Sequence, residues 1–479
     1  MLFNSVQFLL FFPIVTIIYF LLPHKYRWIH LLIASCIFYM AFIPVYILIL
    51  IFTIIIDYIA GIMIENSQGP KRKRFLIMSI VANVGVLAFF KYYNFFLGNV
   101  NDLLHSWHIA THPLPFLGII LPIGLSFHTF QAMSYTIEVY RGNEKAERHF
   151  GIYSLYVMFY PQLVAGPIER PQNLLYQFRE EHRFDSQNLL EGLRLMLWGF
   201  FKKLVIADRL SQYVSTVYEN PGHYHYLNLV IATVFFAIQI YCDFSGYSDI
   251  AIGAARTMGF KLMTNFNRPY FSRNIQEFWR RWHISLSTWF KDYLYISLGG
   301  SRKGVKRMYI NYAIVFVVSG FWHGASWTYI IWGAIHAMLI ISYVMYRRRF
   351  KEKENEGWLR NYFNTIATFA VVCLAWIFFR AGTLSDALVI CKHIFGLYHG
   401  NAFQLVLLDS RGAIAFTKTA LMISFSMIAF LFLTESKLSP PLMGFNKRSY
   451  ADVVFMAGAL SLIVLLGVFQ NNSFIYFQF

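Results

Sequence analysis

Apolar runs of bilayer-crossing length, separated by short basic clusters, recur along almost the whole 479-residue chain, and no other feature restricts its fold as strongly. A hydrocarbon layer about 30 Å thick is crossed by a helix of roughly 20 apolar residues. Such runs lie near residues 5–22, 28–43, 45–64, 75–97, 116–139, 188–210, 227–252, 308–321, 326–346, 362–379, 414–434 and 450–470. With 57% hydrophobic and only 14% charged residues, a water-soluble core does not account for them. We therefore expect an all-α polytopic membrane protein of about 10–12 transmembrane helices, with re-entrant and interfacial helices around a central cavity.

The placement of charge predicts how these runs are threaded. His24-Lys25-Tyr26-Arg27, Lys71-Arg72-Lys73-Arg74 and the cluster from Arg141 to Arg148 alternate with segments poor in Lys and Arg, such as Asn99 to Pro115. Basic loops stay cytoplasmic, so the N-terminus is expected outside. The first run lacks a basic leader and a small-residue cleavage site, and is expected to remain as a span. The formal charge of +17 arises from these clusters rather than from a continuous stripe, which argues against nucleic acid and for the surface of a lipid bilayer. Cys36, Cys242, Cys373 and Cys391 have no disulfide or metal-ligand spacing, so no metal site is expected.

The run from Phe150 to Ile168 has charges on both sides, and Pro161, Gly166 and Pro167 oppose a continuous helix. It is expected to re-enter the membrane region, with its irregular backbone buried in protein. Residues 1–479 are expected to form one membrane domain. Its parts are N-terminal spans over 6–140, a core over 150–350, and C-terminal spans with an aromatic tail over 362–479.

Between residues 256 and 307 the chain is rich in Lys and Arg and is expected on the cytoplasmic side. At about 100° per residue, the stretch Trp279 to Leu294 places Trp279, Trp282, His283, Leu286, Trp289, Phe290, Tyr293 and Leu294 on one arc opposite Arg280, Arg281 and Lys291. That pattern predicts one amphipathic helix at the headgroup boundary. His283 on its aromatic side reads either as a buried histidine bonded to a backbone carbonyl or as a polar group lining a cavity.

Residues 308–346 run between basic clusters at 302–307 and 347–353, so they must cross an even number of times. On a straight helix from Met308, His323 lies about 22 Å along, deep in the hydrocarbon layer. An ionisable group at that depth normally faces a polar cavity or relay, which favours function over packing for His323. Gly320 and Gly324 flank it and admit either another backbone or a ligand. A second intramembrane cluster carries Asp243 and Asp249, which either orient a histidine or an arginine such as Arg256, or are neutralised by burial and pairing. Soluble hydrolase, kinase, metalloprotease and dinucleotide signatures do not occur in the sequence.

Four segments carry a resemblance. Phe278-Trp279-Arg280-Arg281-Trp282-His283-Ile284-Ser285-Leu286-Ser287 and the hairpin Ser319-Gly320-Phe321-Trp322-His323-Gly324 are similar to signatures of the membrane-bound O-acyltransferase family. So are the segments Tyr160 to Ile168 and Asp243 to Asp249. The likeness is greatest to the bacterial branch that holds membrane subunits of alginate and peptidoglycan O-acetylation, with a teichoic-acid D-alanylation protein more distant. The resemblance implies an O-acyltransferase of the bacterial inner membrane with His323 as catalytic base and His283 as second catalytic histidine. Trp282, Trp322, Asp243 and Asp249 would then line or support the cavity.

It further implies a cytoplasmic acyl thioester donor, acetyl-CoA, as substrate rather than bound cofactor, an extracytoplasmic acetyltransferase partner protein, and a polysaccharide acceptor. Arg268, Arg273, Arg280, Arg281, Arg302, Lys303, Lys306 and Arg307 are candidates for the donor phosphates, with retention on the cytoplasmic side as the equal alternative. The tail Ser473 to Phe479 is similar to an aromatic motif of that branch, which would make Tyr476 an acyl relay; from its residues alone it is an interfacial aromatic anchor. D-alanyl transfer and a non-enzymatic transporter or flippase remain the rival readings.

Overall fold

The computed structural model describes residues 1–109, 113–164, 166–350, 357–396, 416–437, 450–469 and 474–475. Its N-terminal part comprises α1 (Val6–Leu21), α2 (His24–Met40), α3 (Ile47–Asn66), α4 (Gly69–Leu87) and α5 (Tyr93–Ser106), with a π-helical turn, Ala88–Tyr92, joining the last two into one long helix. Then follow α6 (Leu125–Arg141), α7 (Phe150–Met158), α8 (Tyr160–Leu163), α9 (Pro171–Leu174), α10 (Ser186–Phe200) and α11 (Asp208–Glu219). The remainder is α12 (Tyr226–Thr257), α13 (Ile275–Arg281), α14 (Ile284–Trp289), α15 (Val305–His323), α16 (Trp327–Arg349), α17 (Trp358–Arg380), α18 (Leu384–Ile394), α19 (Lys418–Lys437) and α20 (Tyr450–Leu466).

The all-α membrane architecture expected from the sequence is present, but its spans are less uniform. Among the described residues six helical segments are long and apolar enough to cross a membrane, and α1 and much of α20 form shorter apolar helices. The expected span 116–139 is helical only from Leu125: Pro113, Pro115 and Pro122 keep the preceding chain extended, and Gly124 enters α6 at φ 78°. The α6 helix is buried along most of its length and belongs to the core.

At the centre stands α12, flanked by α10 running antiparallel to it. The two approach through glycines in register. A Cβ on Gly192 would lie 2.6 Å from the Gly253 carbonyl, and one on Gly199 would lie 2.5 Å from that of Gly246. Small residues let backbones meet where lipid offers no hydrophobic drive for association. Polar side chains tie the N-terminal helices in the same way: Asn83 Nδ2 donates to both Asp57 carboxylate oxygens at 2.9 and 2.8 Å, and Ser79 Oγ donates to Asp57 Oδ1. The outer faces of α1, α3 and α20 expose Leu9, Ile14, Leu48, Phe52 and Leu465, as lipid contact requires.

The segment 150–168 is broken, as its prolines predict, and its backbone is satisfied by side chains. Tyr156 O accepts from Gln131 Nε2 and Gln162 Nε2, Tyr160 N donates to Ser35 Oγ at 3.0 Å, and Ile168 N donates to Ser285 Oγ at 3.1 Å. The basic ends collect on one side. Arg72 donates to Val139 O at the end of α6, Arg141 to Asp292 O, and Arg347 to Gln276 of α13. At the opposite end Trp327 Nε1 bonds Asn99 and Tyr46 bonds Ile120 O, in segments without Lys or Arg.

Candidate active site

The predicted continuous helix from Trp279 to Leu294 is not formed. After α13 the chain extends at Trp282 and turns left-handed at His283, with φ 42°, before α14 begins; a π-helical turn over Phe290–Tyr295 then changes the angular spacing again. Asn265 is the reason. Its carbonyl accepts from Ile284 N at 2.8 Å, and its side-chain oxygen accepts from Ser285 Oγ at 2.6 Å, so tertiary partners satisfy the new helix start. The arc still predicts burial well, since Trp282, His283, Leu286, Trp289, Phe290 and Tyr293 are all buried.

That break drives His283 into the core. Its ring lies 4.5 Å from Phe244, edge to face, and 6.3 Å from Phe127 in near-parallel orientation. His323 is the last residue of α15 and is 4% exposed. Trp332 of α16 stands perpendicular to it at 5.3 Å, Phe379 of α17 lies at 5.4 Å, and Trp322 at 4.9 Å. Phe127 also meets Trp322 at 5.7 Å, so one side chain of α6 bridges the neighbourhoods of the two histidines. Trp282 joins from the other side, packed 5.1 Å from Trp376, which stacks on Trp332.

The α15–α16 hairpin is held by its glycines. A Cβ on Gly320 would collide with the Tyr329 carbonyl, one on Gly333 with that of Phe316, and one on Gly324 with the Tyr329 ring. Of the two uses left open by the sequence, close protein packing is the one the hairpin makes of Gly320 and Gly324. Their service to His323 is to fix the end of α15 against α16.

Two cavities lie along α15. One, of about 430 Å³, opens among the basic ends and is lined by Trp279, Arg280, Lys291, Tyr312, Phe316 and Ser319 with other residues. Tyr312, Phe316 and Ser319 form a stripe of α15, and His323 lies one turn beyond Ser319 on it. The second is a small space of about 50 Å³ at the opposite end, lined by His323, Trp322, Lys91, Ser126 and the chain around Gly124. Of the eight basic residues considered for donor phosphates, Arg280 alone lines the larger cavity, accompanied by Lys291. Arg281 instead pairs with Glu277 at 2.5 Å.

Among the described residues the two aspartates pair with lysines rather than with a histidine or with Arg256, which pairs with Glu191 at 2.8 Å. Asp243 lies 2.6 Å from Lys203, Asp249 lies 2.6 Å from Lys202, and Lys203 also meets Asp208 at 2.9 Å. Both lysines sit on a π-helical turn, Phe201–Ala207, that aims consecutive side chains at α12. Asp243 additionally accepts from Ile475 N at 2.7 Å. Tyr476 lies outside the described residues; the adjacent Phe474 and Ile475 are buried, with Phe474 packed 5.5 Å from Phe244, the residue against His283.

Three groups were missed by sequence reasoning. Lys91 donates to Trp322 O at 2.7 Å and His323 O at 2.9 Å. His336 accepts from Trp279 Nε1 at 3.3 Å and packs 4.8 Å from Trp332. Lys202 and Lys203 form the third. Each is an ionisable residue inside an apolar run, the signal that singled out His323. Among the described residues no cluster of three His, Cys, Asp or Glu side chains has the arrangement to hold a metal ion.

The chain is similar to known proteins along most of its length. The model of the MBOAT, membrane-bound O-acyltransferase family, matches residues 149–381, which hold both histidines and the α15–α16 hairpin. The chain is 36% identical over 441 residues to "Probable alginate O-acetylase AlgI" of Pseudomonas aeruginosa, covering 91% of this chain and 82% of that one. It is also 36% identical over 399 residues to the peptidoglycan O-acetyltransferase of Helicobacter pylori, covering 77% and 73%. A teichoic acid D-alanyltransferase of Bacillus subtilis is 30% identical over 295 residues, 57% of this chain and 73% of that one. With a histidine at the end of a glycine-packed membrane hairpin, a second at the break between two short aromatic helices, and these relatives along most of its length, the chain belongs to the membrane-bound O-acyltransferase family.

Proposed function

We propose that this protein moves an acetyl group from a cytoplasmic thioester, acetyl-CoA, to the hydroxyl of an extracytoplasmic polysaccharide such as alginate or peptidoglycan, in the inner membrane of a bacterium. The observation that carries the reading is the position of His323, one turn beyond a cavity among the basic ends and on the wall of another at the opposite end. A donor enters beside Arg280 and Lys291, which suit its phosphates, and extends its acyl group along α15. A hydroxyl approaches from the other cavity. His323 takes the hydroxyl proton as the oxygen attacks the thioester carbonyl, and returns it to the leaving thiolate. His283 and Trp282 shape the wall around the acyl group.

The longer coverage by O-acetylases than by the D-alanyltransferase favours acetyl over D-alanyl as the transferred group. A second, extracytoplasmic acetyltransferase takes the acetyl group in this reading and passes it to the polysaccharide. In this reading Tyr476 carries the acyl group to that partner, and the buried Phe474 near Phe244 supports it.

Purified protein in lipid nanodiscs, supplied with acetyl-CoA and alginate or peptidoglycan fragments, tests the reading. Replacing His323 by Ala should lower acetyl-dependent release of CoA thiol by about 10²–10⁴-fold, the usual worth of general-base catalysis. A folded His323→Ala protein with the wild-type rate would sink it.

A further inference from the structure

Lys91 is the sole lysine or arginine between Arg74 and Ser106, a stretch long enough to cross the membrane. A cation within such a helix is costly unless something compensates it. Lys202 and Lys203 meet carboxylates at 2.6 to 2.9 Å, whereas Lys91 has no carboxylate at ion-pair distance among the described residues. Its neighbours are the carbonyls of Trp322 and His323, which end α15, and the face of Trp322 with the ammonium 5.8 Å from the ring centre. Helix-end carbonyls and an aromatic face offset a cation only in part.

The geometry of the ammonium is equally suggestive. It has three N–H donors, and two are engaged by the carbonyls. Lys91 is half-buried and lines the same small cavity as His323 and Ser126. It sits on the π-helical turn that interrupts the α4–α5 helix, where the adjacent Tyr92 donates to Phe321 O at 3.0 Å. Three successive carbonyls at the end of α15 are thereby bound by one turn, which fixes Lys91 relative to His323.

We propose that Lys91 is a further catalytic residue, whose ammonium stabilises the oxyanion formed on the thioester carbonyl during acyl transfer; this rests on His323 being the base. The hydroxyl oxygen forms a bond to the carbonyl carbon while its proton passes to His323. The carbonyl π electrons move onto oxygen, and that negative charge is the missing partner of Lys91. When the intermediate collapses the C–S bond breaks, the electron pair leaves on sulfur, and the thiolate takes the proton from His323. Charge appears next to Lys91 only during reaction, so its benefit falls on the rate rather than on donor binding.

The test compares Lys91→Met, Lys91→Gln and Lys91→Arg in nanodiscs, reading kcat and KM for CoA release from acetyl-CoA, together with binding of a non-reacting thioether analogue of acetyl-CoA. The proposal expects Met and Gln to lower kcat by about 10²–10³-fold with analogue affinity within about threefold of wild type, and Arg to retain clearly more rate than either. A role confined to holding the two carbonyls predicts instead that Gln, a neutral donor, performs like Arg; that result overturns the proposal, as does a folded Met variant within about fivefold of wild type. Should Lys91→Met not fold, the Gln and Arg pair decides by the same criteria. His323→Ala runs in parallel. Full activity there removes the base assignment, while its loss beside a near-normal Lys91→Gln removes only the role of Lys91.

Discussion

His323 and His336 show how neighbouring aromatic side chains divide labour between two buried histidines on one hairpin. His323 ends α15 on the wall of the smaller cavity and one turn beyond the larger, whereas His336 lies thirteen residues on, under Trp279, and receives its indole N–H at 3.3 Å. Trp279 in turn lines the larger cavity. In the proposed reaction His336 therefore supports the wall of the donor cavity through Trp279. Replacing it by Leu forfeits one hydrogen bond, worth about 1 kcal/mol, and should raise KM for acetyl-CoA roughly fivefold while kcat stays within about threefold. A collapse of kcat at unchanged KM would place His336 in the chemistry instead. Its signal was present in the sequence, as a histidine inside the apolar run 326–346, yet the same signal marks every buried ionisable residue and does not rank them. His323 stood out because glycines flank it and because of resemblance. Lys91 stood out for neither reason, since its acceptors are backbone oxygens 231 and 232 residues away.

At the scale of elements, the π-helical turns are where consecutive side chains are brought to one face. One such turn aims Lys202 and Lys203 together at α12, and there Lys203 serves two carboxylates while Asp243 holds the backbone of Ile475. Removing one member of a buried ion pair leaves an uncompensated charge and costs about 3–5 kcal/mol. Lys203→Met, which takes the ammonium away from both Asp208 and Asp243, should thus lower the thermal midpoint in detergent much more than Asp243→Asn, which leaves Lys203 with Asp208 and keeps an oxygen for Ile475 N. Equal losses from the two substitutions would show that the cluster contributes no such asymmetry. The Asp243 and Asp249 carboxylates were legible as an interruption of an apolar helix, but their partners were not. A 3.6-residue period assigns faces within a helix, and an extra residue in one turn rotates every face that follows. The same limit undid the continuous helix from Trp279 to Leu294, where Asn265 supplied tertiary partners for a new start at Ile284.

For the whole molecule, the functional reading depends on sidedness: one cavity must open to the cytoplasm and the other away from it. Ser106, the last residue of α5, and Ser301, before α15, are both exposed, and the expected threading puts them on opposite sides of the membrane. In a background with the four native cysteines replaced, Ser106→Cys should react with a membrane-impermeant maleimide in intact cells, and Ser301→Cys only after permeabilisation. Labelling of both from outside would overturn the threading. The expected threading is read from sequence alone, through charge in short loops at the bilayer surface, and the helical class is determined there too, because a backbone in hydrocarbon must satisfy its own hydrogen bonds. What only the tertiary structure decided is which buried groups meet: His283 with Phe127 and Phe244, Lys91 with the end of α15, Asp243 with Lys203 and the chain near its C-terminus. Those pairings are set by helix packing and by local breaks in helical period, and neither is encoded in the spacing of residues along a single run.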